Sequence, residues 1–449
     1  MKKRKFTIGT IFFTVFLDLL GLGIIIPILP ALLLDPIGGI LPMSYSFSSR
    51  TLLYGFLIAS YPLAQFFGAP ILGSLADQKG RKKLLMLSLI GTVVGYVVFI
   101  IGILTSNIYL LFIGRIIDGF TGGNISIAQS AIADISTEET KSRNFGIIGM
   151  AFGLGFIIGP YIGGKLSDAT LVSWFSYATP FYLTILLATI NVFLVMFNFP
   201  ETYEIKAAIK VNLLTGFKNI KKAFNLKDLR VMFLVVFLLT VGFNFFTQFF
   251  QVFLYGKFHF TQSQVGDFFA YMGLWIAIAQ GAVLRPLSKK FKPAKILSYS
   301  IILLAICFPL LLIPQDRIWL YLIVPFVAIF QGLTQPNGTA IISNIAKRDE
   351  QGEILGINQS ISALAQAVPP IIAGFVTAVN INLPIWFAAG ATLLAWITFE
   401  VLFKAKMPTE KTDKKEKLDE MEELDEITEL DKLAELDGIV ELDEIAEIM

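Results

Sequence analysis

The amino-acid sequence predicts an all-α membrane protein with twelve transmembrane helices in two related halves. Apolar residues make up 55% of the 449-residue chain and charged residues only 16%, whereas about a quarter of the residues in a soluble domain are charged. The apolar residues form segments of about 20, the length of a helix that crosses a bilayer. They do not form the alternating ten-residue strands of a membrane β-barrel. Glycine and polar positions of the first half recur in the second, which predicts the division into halves.

The first predicted span is the apolar run Phe6–Leu34, which follows the basic cap Met1–Lys5. The run is too long for a signal peptide, and no small-residue cleavage site follows it. Five further apolar segments complete the first half, and six more follow a lysine-rich stretch. These eleven spans are predicted at 51–76, 84–104, 108–134, 144–167, 174–198, 229–257, 262–286, 295–313, 318–345, 353–379 and 385–403.

Lysine and arginine residues fall mostly on one side of the predicted spans. The opposite side has only four: Arg50, Lys165, Lys257 and Arg317. Because basic loops remain in the cytoplasm, both termini and the central loop are predicted to be cytoplasmic. We therefore expect a multi-pass protein of the cell membrane, in a bacterium the inner membrane.

The two halves repeat each other at an offset of about 210 residues. The segment Gly119–Asn124 corresponds to Gly332–Asn337, and Gly146–Pro160 has the same spacing as Gly356–Pro370. Chance matching of glycines is the alternative, but polar positions are shared as well. The predicted domains are an N-terminal six-helix bundle at 1–199, a cytoplasmic linker at 200–228, a C-terminal six-helix bundle at 229–405 and an acidic tail at 406–449.

The tail is acidic and of low complexity. From Leu418 onward it holds fourteen acids and one lysine, so the rest of the chain is basic. We attribute that basic excess to membrane topology and not to nucleic-acid binding. An apolar residue at every third position forms neither an amphipathic stripe nor a coiled-coil heptad. We interpret the tail as a flexible or loosely helical appendage, with a docking segment for an unknown partner or an appended sequence as alternatives.

Cysteine and histidine each occur once. Cys307 alone cannot form a disulfide framework, and His259 alone cannot form a multi-histidine metal site. The sequence contains no phosphate-binding loop and no nucleophile elbow. It therefore predicts no metal, no cofactor and no enzymatic activity.

A short basic turn joins the second and third predicted spans, with the sequence Gly73-Ser-Leu-Ala-Asp-Gln-Lys-Gly-Arg-Lys-Lys83. The pattern G-x-L-A-D-x-x-G-R-K resembles the signature loop between spans 2 and 3 of the major facilitator superfamily of transporters. The resemblance covers residues 6 to about 405. It implies two pseudo-symmetric six-helix bundles (the major facilitator fold) with a substrate site between them near the membrane midplane.

The resemblance also implies a conformational latch at this turn. Gly73 would let a neighbouring helix approach, Gly80 would allow the turn, and Arg81 would reach Asp134 at the end of span 4. Asp77 would cap or pair near helix ends of the other half. The alternative, that the cations only set topology, does not explain Asp77 or Gly80.

Asp18 lies about 16 Å into the first span. A charge inside the membrane is costly and suggests a function. The surrounding segment Leu17–Pro30 resembles span 1 of tetracycline-efflux proteins and other drug/proton antiporters. Asp18 is predicted to bind a proton or a cationic group of the substrate, the alternative being a structural acid bonded to a neighbouring helix.

Arg115 and Asp118 lie on one face of span 4 as i,i+3 neighbours. Their segment Gly114–Gly123 resembles the span-4 motif that the superfamily associates with proton transfer. Arginine remains charged and cannot carry the proton itself, so Asp118 and Asp18 are rival carriers. The alternative is a self-neutralised pair that only holds the helix in place.

Span 5 contains Gly155, Gly159 and Pro160 within a stretch that resembles the motif typical of antiporters in the superfamily. Small residues four apart allow close helix packing, and the family reading makes the stretch a hinge and a seal. Ordinary helix packing is the alternative. This motif favours export over uptake.

Amide side chains in the predicted spans are candidates for substrate binding. Amides interleaved with phenylalanines suit a moderately polar, partly aromatic organic substrate, although amides also join helices by hydrogen bonds. The candidate residues are Asn124, Asn244, Gln248, Gln251, Gln335 and Asn358.

The sequence thus predicts a monomeric, proton-coupled transporter that exports a small organic compound by alternating access. Its predicted partners are the substrate, protons and the lipid bilayer. An uptake symporter of the same fold, for a sugar, amino acid or other metabolite, would use the same buried acids. A receptor that does not transport remains a further alternative, in which the acidic tail would bind partners.

Overall fold

The computed structural model describes residues 2–136, 138–202, 215–226, 229–345 and 351–403, with the side chains of 2–6, 77, 129, 133, 138–149, 152, 343, 351–353, 355–356 and 359 outside the described set. Regular structure in these ranges is helical. The helices are α1 Lys2–Leu34, α2 Phe47–Lys79, α3 Arg81–Leu104, α4 Ile108–Thr121, α5 Asn124–Ile135, α6 Glu138–Leu166, α7 Thr179–Asn198, α8 Thr215–Asn225, α9 Arg230–Phe258, α10 Gln262–Ile278, α11 Leu284–Lys290, α12 Pro293–Leu310, α13 Arg317–Ile345, α14 Gln351–Val379 and α15 Leu383–Thr398. The π-helical turn Ala279–Val283 joins α10 to α11, and the turn Phe399–Phe403 follows α15.

Among the described residues, ten helices are long and apolar enough to cross a membrane, and they coincide with ten of the twelve spans predicted from the sequence. The remaining two predictions fall on 108–134 and 144–167. The first is divided between α4 and α5 at Gly122–Gly123. The second falls on α6 except for its last residue, and several side chains of α6 are outside the described set. The fold is therefore an all-α membrane fold, and the count of twelve spans stays a prediction.

Successive long helices run in opposite directions, so that two ends of the molecule can be distinguished. We call the end with the α2–α3 turn at Gly80 the basic end, and the end with the 35–46 loop the opposite end. At Gly80 the backbone has φ +93°, and the N–H of Gly80 closes α2 on the carbonyl of Ala76. Residues that carry a side chain rarely adopt this backbone conformation, so glycine is required in so short a turn.

The loop from α1 to α2 at the opposite end is tied to one buried cation. Arg50 is 2% exposed, and its guanidinium donates five hydrogen bonds to main-chain carbonyls. Because four of these carbonyls lie in the loop and the fifth lies at the end of α1, the guanidinium holds the loop closed against the start of α2. The acceptors are the carbonyls of Leu33, Asp35, Leu41, Pro42 and Tyr45.

A large buried core joins helices from both halves of the chain. Its centre is rich in phenylalanine, most densely in α9, where Phe246, Phe250 and Phe253 are almost fully buried. The rings of Phe246 and Phe250 lie 4.6 Å apart between centroids. Buried aromatic rings contribute large contact areas, and this core packs α9 against α1. Residues 406–449, the predicted acidic tail, lie outside the described residues.

Candidate functional site

A buried ion pair lies in the C-terminal half of α4. Arg115 Nη1 donates to Asp118 Oδ2 at 3.2 Å, and both side chains are 6% exposed. The guanidinium carbon of Arg115 also lies 4.5 Å from the centroid of the Tyr61 ring on α2. The cation is therefore held by a carboxylate on its own helix and by an aromatic face on the next.

Glycines allow α4 to approach α2 and α3 closely around this pair. A Cβ atom added to Gly114 would come 2.8 Å from the carbonyl oxygen of Gly95 on α3. One added to Gly119 would come 2.8 Å from the Cα of Tyr61 on α2. These distances are too short for any side chain, so the small residues set how deeply the Arg115–Asp118 pair is buried.

Asp18 lies on α1 beside this pair and is 8% exposed. Its Oδ2 atom has no hydrogen-bond partner among the described residues. The polar side chains nearest the Asp18 carboxyl are the amide of Asn124 and the carboxylate of Asp118, and neither forms a hydrogen bond with Asp18 Oδ2. The geometry thus assigns Arg115 to Asp118 and leaves an oxygen of Asp18 available.

Asn124 is the first residue of α5, directly after the Gly122–Gly123 break between α4 and α5. Its side chain is completely buried, and neither its oxygen nor its nitrogen has a partner among the described residues. A buried amide without partners costs several kcal/mol. The arrangement brings together an available carboxyl oxygen and an available amide, which together can bind a proton or a ligand carrying both donors and acceptors.

The glycines of α6 pack directly on the segment of α1 that follows Asp18. A Cβ atom added to Gly155 would come 2.6 Å from Cβ of Leu19, and one added to Gly159 would come 2.9 Å from Cα of Gly23. Pro160 contacts the same place, since a Cβ on Gly23 would come 2.7 Å from its ring. The three predicted residues of span 5 therefore control the approach of α6 to the site helix.

Two tyrosines beside the acids were missed by the sequence reasoning. Tyr61 stacks on Arg115, and the hydroxyl of Tyr96 on α3 reaches Gly21, one turn beyond Asp18 on α1. Both tyrosines are close enough to Asp18 and Asp118 to interact electrostatically with these carboxylates. Lone tyrosines are common in membrane spans, so nothing in their sequence context distinguished them.

The basic end holds a second cluster, at the start of α3. Arg81 Nε lies 3.2 Å from Oδ2 of Asp134, the contact expected from the sequence. Thr202 Oγ1 donates to the same oxygen at 3.3 Å. Glu201, which the sequence reasoning did not single out, accepts from the backbone N–H groups of Arg81 and Lys82 at 2.8 and 3.2 Å.

The other two residues of the predicted latch are placed differently. A Cβ atom on Gly73 would meet Ser126 Oγ at 3.7 Å, an ordinary contact. Helix α5 therefore lies within van der Waals contact of Gly73, but less closely than helices approach the glycines of α4, and the role of Gly73 in a latch stays a prediction. Asp77 belongs to α2, but its side chain lies outside the described residues.

The predicted amides of the second half are spread over three helices. Asn244 donates back to the carbonyl of Thr240 on its own helix, Gln335 is exposed, and the buried Oδ1 of Asn358 has no partner among the described residues. Gln248 and Gln251 meet Tyr54 of α2. Tyr54 donates to the carbonyl of Gln248 at 2.8 Å, and the amide of Gln251 donates to the Tyr54 hydroxyl. These two residues join the halves, as amide bonds between helices often do.

Fold and site together define a class: a polytopic α-helical membrane transporter with ionisable groups buried between its spans. Within the described residues, no group of three metal-ligating side chains is present. The sequence model of the Major Facilitator Superfamily matches residues 11–327 and 232–434. The chain belongs to this superfamily, is a transporter of it and is not an enzyme.

Curated relatives include drug-resistance proteins. The chain is 28% identical to the class C tetracycline resistance protein of Escherichia coli, over 88% of this chain and 94% of that protein. It is 28% identical to multidrug resistance protein 1 of Bacillus subtilis (strain 168), over 90% and 98%. Among solved structures, the human organic anion transporter MFSD10 (TETRAN) shares the fold with a TM-score of 0.67 and 23% identity, over 88% of this chain and 99% of that one.

Proposed function

We propose that this transporter couples the inward movement of protons to the export of a small organic compound by alternating access. One observation carries the proposal: Asp18, buried beside the Arg115–Asp118 pair, retains a carboxyl oxygen without a partner among the described residues. An ionised carboxylate is costly in a membrane interior unless it is neutralised by a proton or a cationic ligand. Asp18 is therefore the group whose state changes during transport.

The division of roles between the two acids follows from their partners. Asp118 accepts from Arg115 at 3.2 Å, and this guanidinium also stacks on Tyr61. An acid held by a permanent cation keeps its charge more readily than an acid without one. Asp18 is the proton carrier in this scheme, and the Arg115–Asp118 pair supplies a fixed electrostatic background.

Export of a drug-like compound is supported by the relatives and by the surroundings of α1. The curated relatives include proteins named for resistance to tetracycline and to multiple drugs. The glycines of α6 contact α1 immediately after Asp18. A rearrangement of the Asp18 carboxyl therefore changes the packing between these two helices. Asn124, with both amide atoms available, is the adjacent group for polar atoms of the substrate.

Orientation and organisation complete the proposal. The basic end faces the cytoplasm, both termini lie there, and the protein acts as a monomer in a bacterial inner membrane. Residues 1–199 and 229–405 are the moving halves, and 200–228 links them. The positive-inside rule and the repeat support this arrangement.

The test measures transport in everted membrane vesicles with an acidic interior, because an exporter then accumulates its substrate inside. We expect an accumulating drug to be found in a panel that includes tetracyclines, and its addition to release protons from the vesicles. Asp18→Asn should reduce proton-driven accumulation at least tenfold. Asp316→Asn, the same change at an exposed loop acid, should have no effect.

Two outcomes contradict the proposal. Proton-driven accumulation that survives Asp18→Asn removes Asp18 as the carrier. Accumulation only in right-side-out vesicles with an acidic exterior identifies an uptake symporter, a class found among the solved structures that share the fold, such as a D-xylose-proton symporter with a TM-score of 0.68.

A further inference from the structure

The two halves of the molecule meet along two quasi-equivalent helix crossings near the opposite end. In the α2–α14 seam, a Cβ added to Gly55 would meet the carbonyl oxygen of Pro370 and come 3.1 Å from Cα of Gly374. In the α6–α10 seam, a Cβ added to Gly266 would meet the carbonyl oxygen of Pro160 and come 3.2 Å from Cα of Gly164. At both seams a glycine of one half therefore rests on a proline–glycine pair of the other.

The correspondence follows the internal repeat of the sequence. Gly266 lies about 210 positions after Gly55, and Pro370 and Gly374 lie at the same offset from Pro160 and Gly164. The repeat thus places the same backbone contact on the two sides of the molecule. Any difference between the seams must come from the side chains next to it.

The side chains that directly follow these glycines differ in chemistry between the two seams, while Tyr54, which precedes Gly55, bonds to α9 and not to α14. In the α6–α10 seam, Lys165 Nζ lies 2.8 Å from Asp267 Oδ2 and 2.8 Å from Ser263 Oγ. At the equivalent positions of the α2–α14 seam, Phe56 and Phe375 form an edge-to-face pair with ring centroids 6.2 Å apart. One seam is closed by an ion pair and the other by two aromatic rings at the same place.

The two kinds of contact respond differently when the halves separate. When the halves separate, lipid chains can replace the contacts of a phenylalanine with little loss of free energy, because the hydrophobic effect does not hold helices together in a bilayer. Separating Lys165 from Asp267, which are 31% and 40% exposed, loses a Coulomb attraction that salt only partly screens. The hydroxyl of Tyr177 adds a second polar contact at this seam, since Gln262 donates to it at 3.3 Å.

We propose that Lys165 and Asp267 form a gating pair that holds the α6–α10 seam closed at the opposite end, so that opening begins at the α2–α14 seam. The proposal depends on the alternating access of a superfamily transporter but not on Asp18 as the proton carrier. The two residues are positioning residues for the transport cycle and have no role in binding the substrate.

Spin-label distances across each seam test the proposal in the purified full-length protein. After Cys307→Ser, one label pair at Leu171→Cys and Ile318→Cys reports the α6 side, and one at Ile37→Cys and Val379→Cys reports the α2 side. All four positions are exposed. We expect a larger open population for the α2-side pair than for the α6-side pair.

Charge variants isolate the gating pair. Lys165→Met and Asp267→Asn should each raise the open population on the α6 side about two- to fivefold, the size expected for a half-exposed ion pair. The exchange Lys165→Asp with Asp267→Lys should restore the wild-type distribution. Raising the salt concentration should act on the wild-type α6 side and not on Asp267→Asn. Phe375→Leu, the matched change at the other seam, should leave the α6-side salt response unchanged.

Three results would overturn the proposal: equal distance distributions in wild type and both neutral variants, no recovery in the charge exchange, or equal salt responses on the two sides. The comparison of salt responses on the two sides uses the wild-type seams, so it tests the proposal even if a charge variant fails to fold. Because the readout is a distance and not transport, failure of the gating pair leaves the Asp18 proposal standing, and the reverse also holds.

Discussion

The carboxylate of Glu201 accepts a hydrogen bond of 2.8 Å from the backbone N–H of Arg81, the first residue of α3. It also accepts from the next N–H, of Lys82, at 3.2 Å. A carboxylate at this position satisfies orphan donors of a helix start and interacts favourably with the helix dipole. The chain that leaves α7 is thereby fixed to the start of α3, beside the contact between Arg81 and Asp134.

We therefore expect Glu201→Gln to destabilise the protein by about 1 kcal/mol, the usual contribution of a helix cap. The measurement is thermal unfolding in detergent at low and high salt. Because the dipole contribution is screened, the difference from wild type should shrink at high salt. A variant as stable as wild type at low salt would show that the cap contributes nothing.

Gly80→Ala and Gly73→Ala should separate a glycine required at the α2–α3 turn from one tolerated inside α2. At Gly80 the backbone has φ +93°, and an added Cβ would meet the carboxylate of Glu201, so that Gly80→Ala should cost about 1–3 kcal/mol. At Gly73 the nearest atom is 3.7 Å away, and Gly73→Ala should change stability by less than about 0.5 kcal/mol. Unfolding curves of the two variants, compared under one condition, check both values.

Tyr61 should contribute through its ring and not through its hydroxyl. Arg115 lies 4.5 Å from the ring centroid, whereas Gln65, which contacts the hydroxyl at 3.5 Å, also bonds to the carbonyl of Gly122 at 2.9 Å. Tyr61→Phe should therefore keep stability and transport. Tyr61→Leu should lose about 0.5–2 kcal/mol. Equal losses in the two variants would argue for the hydroxyl instead.

Two glycines of α6 provide a matched pair for the contact with α1. A Cβ on Gly159 would come 2.7 Å from the carbonyl oxygen of Leu20, while a Cβ on Gly153 would meet nothing within 4 Å. The atoms that the new Cβ would meet belong to the α1 backbone, which cannot move aside as a flexible side chain can. Gly159→Ala should therefore force α6 and α1 apart and reduce transport at least tenfold. Gly153→Ala should transport like wild type. The vesicle assay compares the two at equal expression.

The sequence was informative where a contact depends on a local pattern. Arg115 and Asp118 are three residues apart on one helix, so their pairing at 3.2 Å follows from helical geometry. The approach of Arg81 to Asp134 followed from a resemblance that covers both residues. The helix break after Thr121 was not predicted, although Gly122–Gly123 is a recognisable signal for it.

Contacts between distant segments were beyond what the sequence could predict. Tyr54 joins α2 to α9 through Gln248 and Gln251, and no periodicity in either helix specifies that meeting. For the same reason the interpretation of the α9 amides as substrate ligands stays a prediction. Whether an amide faces a cavity or a neighbouring helix depends on the packing of the whole bundle, which one chain's pattern does not contain.

Arg50 has a mechanical consequence for the site. Its five hydrogen bonds to the α1–α2 loop make the two helices a stiff hairpin, and a lysine, with a single compact ammonium group, cannot reproduce that fork. Any tilt of α2 at its crossing with α14 therefore tilts α1 as well. Asp18 belongs to α1, so under the proposed alternating access its carboxyl moves together with α2 when the two halves separate.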